Sequence, residues 1–408
     1  MNRRQAEPLR RLCLVHVFGP GHVLAALCAV EWYGMTRNGD ESADVVVLIH
    51  NPGLSDALAH KSADVVRQMI SPHGWPEPIV LTRGEMDGIT GGQSRNAPRQ
   101  VLQRFRQKLG RNQFDEIYYP HDLVGCAAQL ATHAYPRATP ITFGDALGNI
   151  TTRQHQFGLL AVMDPRSLTW SQRVARVARA LRRRTKRHEA ASIHAREAVL
   201  ILPIDESGDG LLGTELIIVP RHLVLEVLSR CQRAVPELAV YSQRLLAGTP
   251  APQYLMLLEN FADANLTSFE REVAMYEAMV ERHVPRGATV FVKGHPLSVK
   301  PVEEDLCRRL SSRFAVRLVS PDFGRYPVEL WGDLLASCEV ISLGYPCLSL
   351  EFLYGKKVIY PFLPEMIEEF FPRVSGAYLL YCDRYTRAQR ISLASWDGRG
   401  LLLRGPVS

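Results

Sequence analysis

Three short segments of the chain combine side chains that bind anions or move protons with the turn residues that would present them. In FVKGHPLS (291–298) an apolar run ends in Lys293, Gly294, His295 and Pro296. If that run is a strand, its carboxyl end presents these groups where open α/β sheets bind their ligands. Gly294 permits the turn and Pro296 fixes the exit. His295 can donate to an anion or shuttle a proton. An isolated His in a turn more often only satisfies local hydrogen bonds; the coincidence of Lys, Gly, His and Pro favours the functional reading.

The second segment is EVISLGYPCLSLEFLYGKKVIYPF (339–362). A buried strand is expected to end at Ser342-Leu343-Gly344, with a helix beginning near Pro346. Ser342 falls at the strand end and free N–H groups at that helix start suit a phosphate, while Ser349 and Glu351 lie in the helix's first turns, where Glu351 could bond a ribose hydroxyl. Plain helix capping gives the same pattern, since a carboxylate is favourable near the positive end of the helix dipole. The third segment, TPITFGDALGN (139–149), places Asp145 behind Gly144 at another strand end. There it can take a proton from a hydroxyl or equally cap the next turn.

These segments imply the elements that must position them. Short β-branched runs alternate with amphipathic stretches. Strands are expected at 12–18, 44–51, 78–84, 115–121 and 141–145, with helices near 22–34, 54–71, 97–110 and 123–132. A second series follows, with strands at 198–204, 288–294, 315–320, 339–344 and 356–362. Its helices fall near 220–234, 265–284, 302–313, 328–337 and 347–354. Strand–helix alternation predicts parallel sheets flanked by helices. The expected organisation is a first Rossmann-like domain over 1–188, a second over 189–364, and a C-terminal helix and tail over 365–408 that packs back across the first domain.

The KGHP strand end, the Ser342 corner and the acidic segment at Asp145 resemble bacterial CMP-sialic acid-dependent sialyltransferases of the polysialyltransferase type. The opening VHVFGPGHVLAAL is similar to that family's strand, Pro-containing turn, His and apolar helix. The resemblance covers most of residues 12–362 through short motifs. It implies a GT-B fold, α/β with two Rossmann-like domains facing across a cleft. It also implies an inverting, metal-independent transfer of a sialic-acid-like 2-keto sugar from a CMP-sugar to a hydroxyl of a capsule or lipopolysaccharide glycan, with no cofactor beyond that donor. On this resemblance His295 and Pro296 contact the departing phosphate, Ser342 and Ser349 assist, and Asp145 is the base. The family usually shows two acidic residues before Gly, whereas the run here is Gly144-Asp145-Ala146-Leu147-Gly148. Lys293 or a nearby Arg would balance the donor carboxylate. Gly294, with Gly208 and Gly210 of ESGDGLLG (206–213), would let the backbone approach the donor, although a surface loop has the same composition. His22 and His121 would meet the glycan acceptor. Two alternatives stay open: a GT-B transferase using another nucleotide sugar, and a non-catalytic GT-B scaffold of a glycan-assembly complex at the membrane.

The 408 residues carry 48 Lys+Arg against 42 Asp+Glu, a formal net charge of +6, and are 46% hydrophobic. That composition excludes a disordered chain, and the length allows two or three domains. No apolar run is long enough for a transmembrane helix. The stretch LCLVHVFGPGHVLAAL is broken by Gly19-Pro20-Gly21 and two His, so a strand, turn and helix are expected rather than a secretion signal. Eight scattered cysteines without a C-x-x-C pair argue against disulfides or a zinc site and for the cytoplasm. GPGH lacks the third glycine of a dinucleotide fingerprint, and no G-x-S-x-G nucleophile elbow occurs. Eight basic residues crowd into 173–187 (RVARVARALRRRTKR) with no aromatic among them. Nucleic acid is therefore not the expected partner. A solvated linker helix, or peripheral contact with an anionic inner membrane, fits that segment.

Overall fold

The computed structural model describes residues 10–38, 43–51, 53–90, 99–120, 127–144, 195, 197–203, 215–344 and 346–395. Contacts divide the chain into two units. Apart from 202 and 203, the described residues up to Ala234 belong to the first, and Val235 onward to the second.

In the first unit the order is β1 (Arg11–Val17), α1 (Val23–Asn38), β2 (Ala43–Ile49), α2 (Asp56–Ile70), β3 (Ile79–Val80), α3 (Arg83–Thr90), α4 (Arg99–Leu109) and β4 (Glu116–Pro120). It continues with α5 (Ala127–Ala134), β5 (Thr139–Gly144), β6 (Glu197–Leu200), β7 (Glu215–Ile218) and α6 (Arg221–Ala234). The seven strands form one sheet in the order β3-β2-β1-β4-β5-β6-β7, parallel throughout. Strands of a parallel sheet are covered on both faces and so read as continuous apolar runs. The run at 198–204, expected to open the second half, instead pairs with β5 through Phe143 and Val199. β7, which no sequence signal marked, extends the same sheet beside it. Both runs are short and apolar, and nothing in composition tells the last strands of one parallel sheet from the first of the next.

The second unit comprises α7 (Pro236–Leu246), β8 (Gln253–Leu257), α8 (Phe269–His283), β9 (Thr289–Lys293), α9 (Val302–Leu310), β10 (Ala315–Leu318), α10 (Pro321–Gly324) and α11 (Gly332–Ser337). It ends with β11 (Glu339–Ile341), α12 (Pro346–Tyr354), β12 (Val358–Ile359), α13 (Pro364–Phe370) and α14 (Arg373–Ser395). Its five strands run in the order β10-β9-β8-β11-β12, again all parallel. Met256, Tyr276, Val290, Val292, Leu306, Ile341 and Phe362 build its core. Ser268 caps α8 by accepting from the Arg271 N–H at 3.3 Å, and Glu303, Glu304 and Asp305 in the first turn of α9 suit its helix dipole. The α/β class with two parallel-sheet units is as expected.

β8 is first in the chain among these strands yet central in the sheet. The chain runs outward on one side to β9 and β10, then crosses to β11 and β12 on the other. The strand order therefore reverses between β8 and β11, the position at which open α/β sheets bind ligands. After β12 the chain forms the long helix α14, which packs on α12 and α13. The basic segment 173–187 and the loop holding Gly208 and Gly210 lie outside the described residues. No helix among the described residues is long and apolar enough to cross a membrane.

Candidate functional site

The parallel register of the second sheet fixes which side chains share its carboxyl edge. Leu257 pairs with Lys293 on one side of β8, and Met256 pairs with Ile341 on the other. Carried past the last pairs, the same register sets Glu259 level with His295 and with Gly344. The three strand ends at the reversal point thus present Leu258-Glu259, Gly294-His295 and Ser342-Leu343-Gly344 together. Helix α12 begins directly above, its first turn tied down by Cys347 N–H donating to the Gly344 carbonyl at 3.1 Å.

Lys293 is 5% exposed, and its ammonium donates to the Gly324 carbonyl at 2.6 Å. Burial lowers its pKa to about 8, against the pull of Glu329 and Glu259. His295 follows the turn half-buried. Burial first, then the Lys293 charge, holds its pKa down to about 4, so the ring is neutral at physiological pH. Its Nδ1 accepts from the Leu297 N–H at 3.1 Å, which leaves the single ring proton on Nε2. The side chain is therefore set as a neutral donor. Ser342 is fully buried and its Oγ accepts from the Gly344 N–H at 3.4 Å.

Acidic groups close the edge. A methyl group added to Gly344 would overlap the Glu259 carboxylate, and one added to Gly294 would come within 2.8 Å of Glu303 Oε1. With glycine at both strand ends these carboxyls approach the backbone closely; a larger residue would make the flexible Glu side chains shift. Glu259 donates its N–H to the Tyr276 hydroxyl at 2.7 Å. Burial, then the neighbouring Glu272, raises its carboxyl to about 7. Glu272, wholly buried on α8, is also raised to about 7 by burial, although it accepts from the N–H groups of Phe261 and Ala262 at 3.1 and 2.7 Å. Burial likewise raises Glu303, whose Oε2 is buried without a hydrogen-bond partner among the described residues. Asp263 fixes the loop after the KGHP turn by accepting from the Val299 N–H at 2.8 Å. Glu259, Glu272 and Glu303 were not singled out in the sequence. The cue is a glycine at each strand end opposite a carboxylate, and it is visible only once the register is known.

Two expected ligand contacts are corrected. Ser349, fully buried, donates its hydroxyl to Glu329 Oε1 at 2.5 Å. Glu351 pairs with Arg390 of α14 at 2.5 Å and accepts from the Val358 N–H at 3.2 Å. Arg390 and Arg387 also stack on the Tyr360 ring, 5.5 and 5.2 Å from its centroid. These residues lock α12 to its neighbours instead of facing the strand ends. Arg390→Ala is expected to lower stability by about 1 kcal/mol, because the pair is charge-assisted but partly solvated. Urea unfolding of the variant beside the wild type measures this.

In the first unit His22 sits in the turn after β1, where its Nδ1 accepts from the Phe18 N–H at 3.3 Å. Asp145 and His121 lie outside the described residues. Among the described residues no group of three or more His, Cys, Asp or Glu is placed to hold a metal ion.

No family model and no curated protein matches the chain. Among solved structures, UDP-GlcNAc 2-epimerase from Neisseria meningitidis bound to UDP-GlcNAc matches at a TM-score of 0.48 and 10% identity, covering 96% of each chain. UDP-GlcNAc 2-epimerase from Methanocaldococcus jannaschii matches at 0.38 and 10% identity, over 92% of this chain and 99% of that one. The same enzyme in complex with UDP-GlcNAc and UDP matches at 0.37 and 11% identity, with the same coverage. At these scores the likeness assigns no residue a role. None of the three is a sialyltransferase, and the reading of this chain as a CMP-sialic acid-dependent transferase is corrected accordingly.

Proposed function

We propose that this chain is an enzyme of nucleotide sugars, and that its second unit holds the nucleotide's phosphates at the reversal point between β8 and β11. The observation that carries this reading is that one carboxyl edge sets Lys293 level with Ser342 and, two residues beyond, His295 level with Gly344, with the N-terminus of the nine-residue α12 next in the chain. The positive end of that helix dipole suits phosphate oxygens, although Pro346 has no N–H and the Cys347 N–H donates to Gly344. Cleaving the bond between a sugar's anomeric carbon and its phosphate leaves the electron pair on the phosphate oxygen. His295 Nε2–H donates to that oxygen, and the Lys293 charge behind it stabilises what develops. Donors fixed before the reaction need no reorganisation during it, which is why the Leu297 contact to Nδ1 matters.

Of the alternatives open from sequence, a nucleotide sugar other than a CMP-linked one is retained. UDP-sugars come first, since UDP-GlcNAc is the ligand named for two of the matched structures. Thermal unfolding of the full chain with UDP-GlcNAc, UDP, GDP-mannose and CMP checks the reading. Protection by a nucleoside diphosphate or its sugar, saturating with concentration, is the expected result. Absence of protection by every one of them, with tight binding to another protein, would support the scaffold instead.

A further inference from the structure

Resting on that reading, we propose that Glu259 gates the phosphate seat through its own proton: the seat accepts a diphosphate only when the Glu259 carboxyl carries a proton, which it then donates to a phosphate oxygen. The geometry gives the reason. Glu259 stands level with His295 and Gly344, and its carboxyl occupies the space that Gly344 leaves empty beneath the start of α12. A carboxylate there would lie against the incoming anion, whereas a carboxylic acid is a hydrogen-bond donor in the same place.

The groups facing Glu259 act in opposite directions, and burial with Glu272 outweighs Lys293. From α8 come the Glu272 carboxyl, which opposes ionisation of Glu259, and the Tyr276 hydroxyl, whose pKa burial pushes up so that it stays neutral. From β9 comes Lys293, whose charge favours the ionised form of Glu259. From α12 comes the Cys347 thiol, which burial holds protonated. His295 beyond Lys293 is neutral. With Glu259 raised to about 7, the carboxyl of the free protein is protonated below that pH and charged above it. Binding above pH 7 must therefore draw one proton from solvent onto a Glu259 oxygen. No other bond changes.

Calorimetric titration of the full chain with UDP-GlcNAc in buffers of different ionisation enthalpy reads this directly, because the diphosphate of that ligand is esterified at both ends and does not itself titrate here. The expected result is uptake of nearly one proton per ligand at pH 8 and almost none at pH 5.5, with affinity falling toward tenfold per pH unit above 7. Glu259→Gln is expected to abolish both the uptake and the pH dependence. Binding at pH 8 without uptake overturns the proposal and leaves the nucleotide-sugar reading standing. So does uptake that persists in Glu259→Gln but disappears in His295→Gln or Lys293→Met. Inorganic pyrophosphate separates the two claims. Protection by pyrophosphate that weakens above pH 7 in the wild type but less steeply in Glu259→Gln, which cancels the titration of pyrophosphate itself, keeps the gate and, without any binding of UDP-GlcNAc, removes the nucleotide sugar. Failure of both probes at pH 6 removes both. If Glu259→Gln does not fold, Lys293→Met and Glu272→Gln decide: uptake at pH 8 retained in both supports the proposal, and uptake lost in either overturns it.

Discussion

His295→Ala is expected to lower turnover of a nucleotide sugar by about 10²–10³-fold, the usual loss when one positioned donor is removed from a developing oxyanion. The thermal midpoint is expected to change little. The side chain is half-buried in a turn, and among the described residues its hydrogen bond is the contact from Leu297 N–H. Replacing it removes no core packing. What it removes is a neutral imidazole whose remaining proton sits on Nε2 at the carboxyl edge, beside the Lys293 charge. His295→Gln, which keeps an N–H donor, is expected to recover part of the loss. Release of nucleotide from a UDP-sugar, followed with both variants alongside circular dichroism, decides the matter. Turnover within threefold of the wild type in His295→Ala would take this residue out of the mechanism.

The largest loss of stability is expected in the other unit. Arg11 on β1 and Glu116 on β4 form a buried ion pair at 2.6 Å, each side chain 9% exposed. Glu116 Oε2 also accepts from the Tyr118 hydroxyl at 2.9 Å and from the Cys13 thiol at 3.3 Å. Arg11→Met would leave a carboxylate in a desolvated site facing, among the described residues, two neutral donors. Removing one partner of such a pair costs about 3–5 kcal/mol. The double variant Arg11→Met, Glu116→Leu removes both charges and is expected to lose far less, because no charge is then stranded. Urea unfolding of the two variants and the wild type checks this. A loss below about 1 kcal/mol in the single variant would mean that Glu116 finds another cation or is hydrated.

The strand end that matters most was legible because chemistry and punctuation coincide there. ATVFV is a β-branched apolar run, and Gly294, His295 and Pro296 end it abruptly. β8 was not legible. Tyr254-Leu255-Met256-Leu257-Leu258 is apolar but has no β-branched residue, so propensity gives no strand signal. Only its central place in the sheet shows what it is. Missing β8 meant missing Glu259, since a carboxylate two residues past an unrecognised strand looks like any polar loop residue. Ser349 and Glu351 failed for a different reason. Their spacing after a strand end suits a phosphate and a ribose, but their partners, Glu329 and Arg390, lie 20 and 39 residues away in the chain. Local pattern cannot see such contacts. The boundary at 188 carried the same weakness, because β6 reads alike whether it closes one parallel sheet or opens another.

Hydrogen–deuterium exchange of the full chain with and without saturating UDP-GlcNAc is the most direct measurement of where a nucleotide sugar sits. Slower exchange concentrated in 258–263, 293–298 and 342–350 is what the proposed seat requires, with the remaining amides of the second unit little changed. Protection confined to the first unit, or binding that protects none of these three segments, would contradict it.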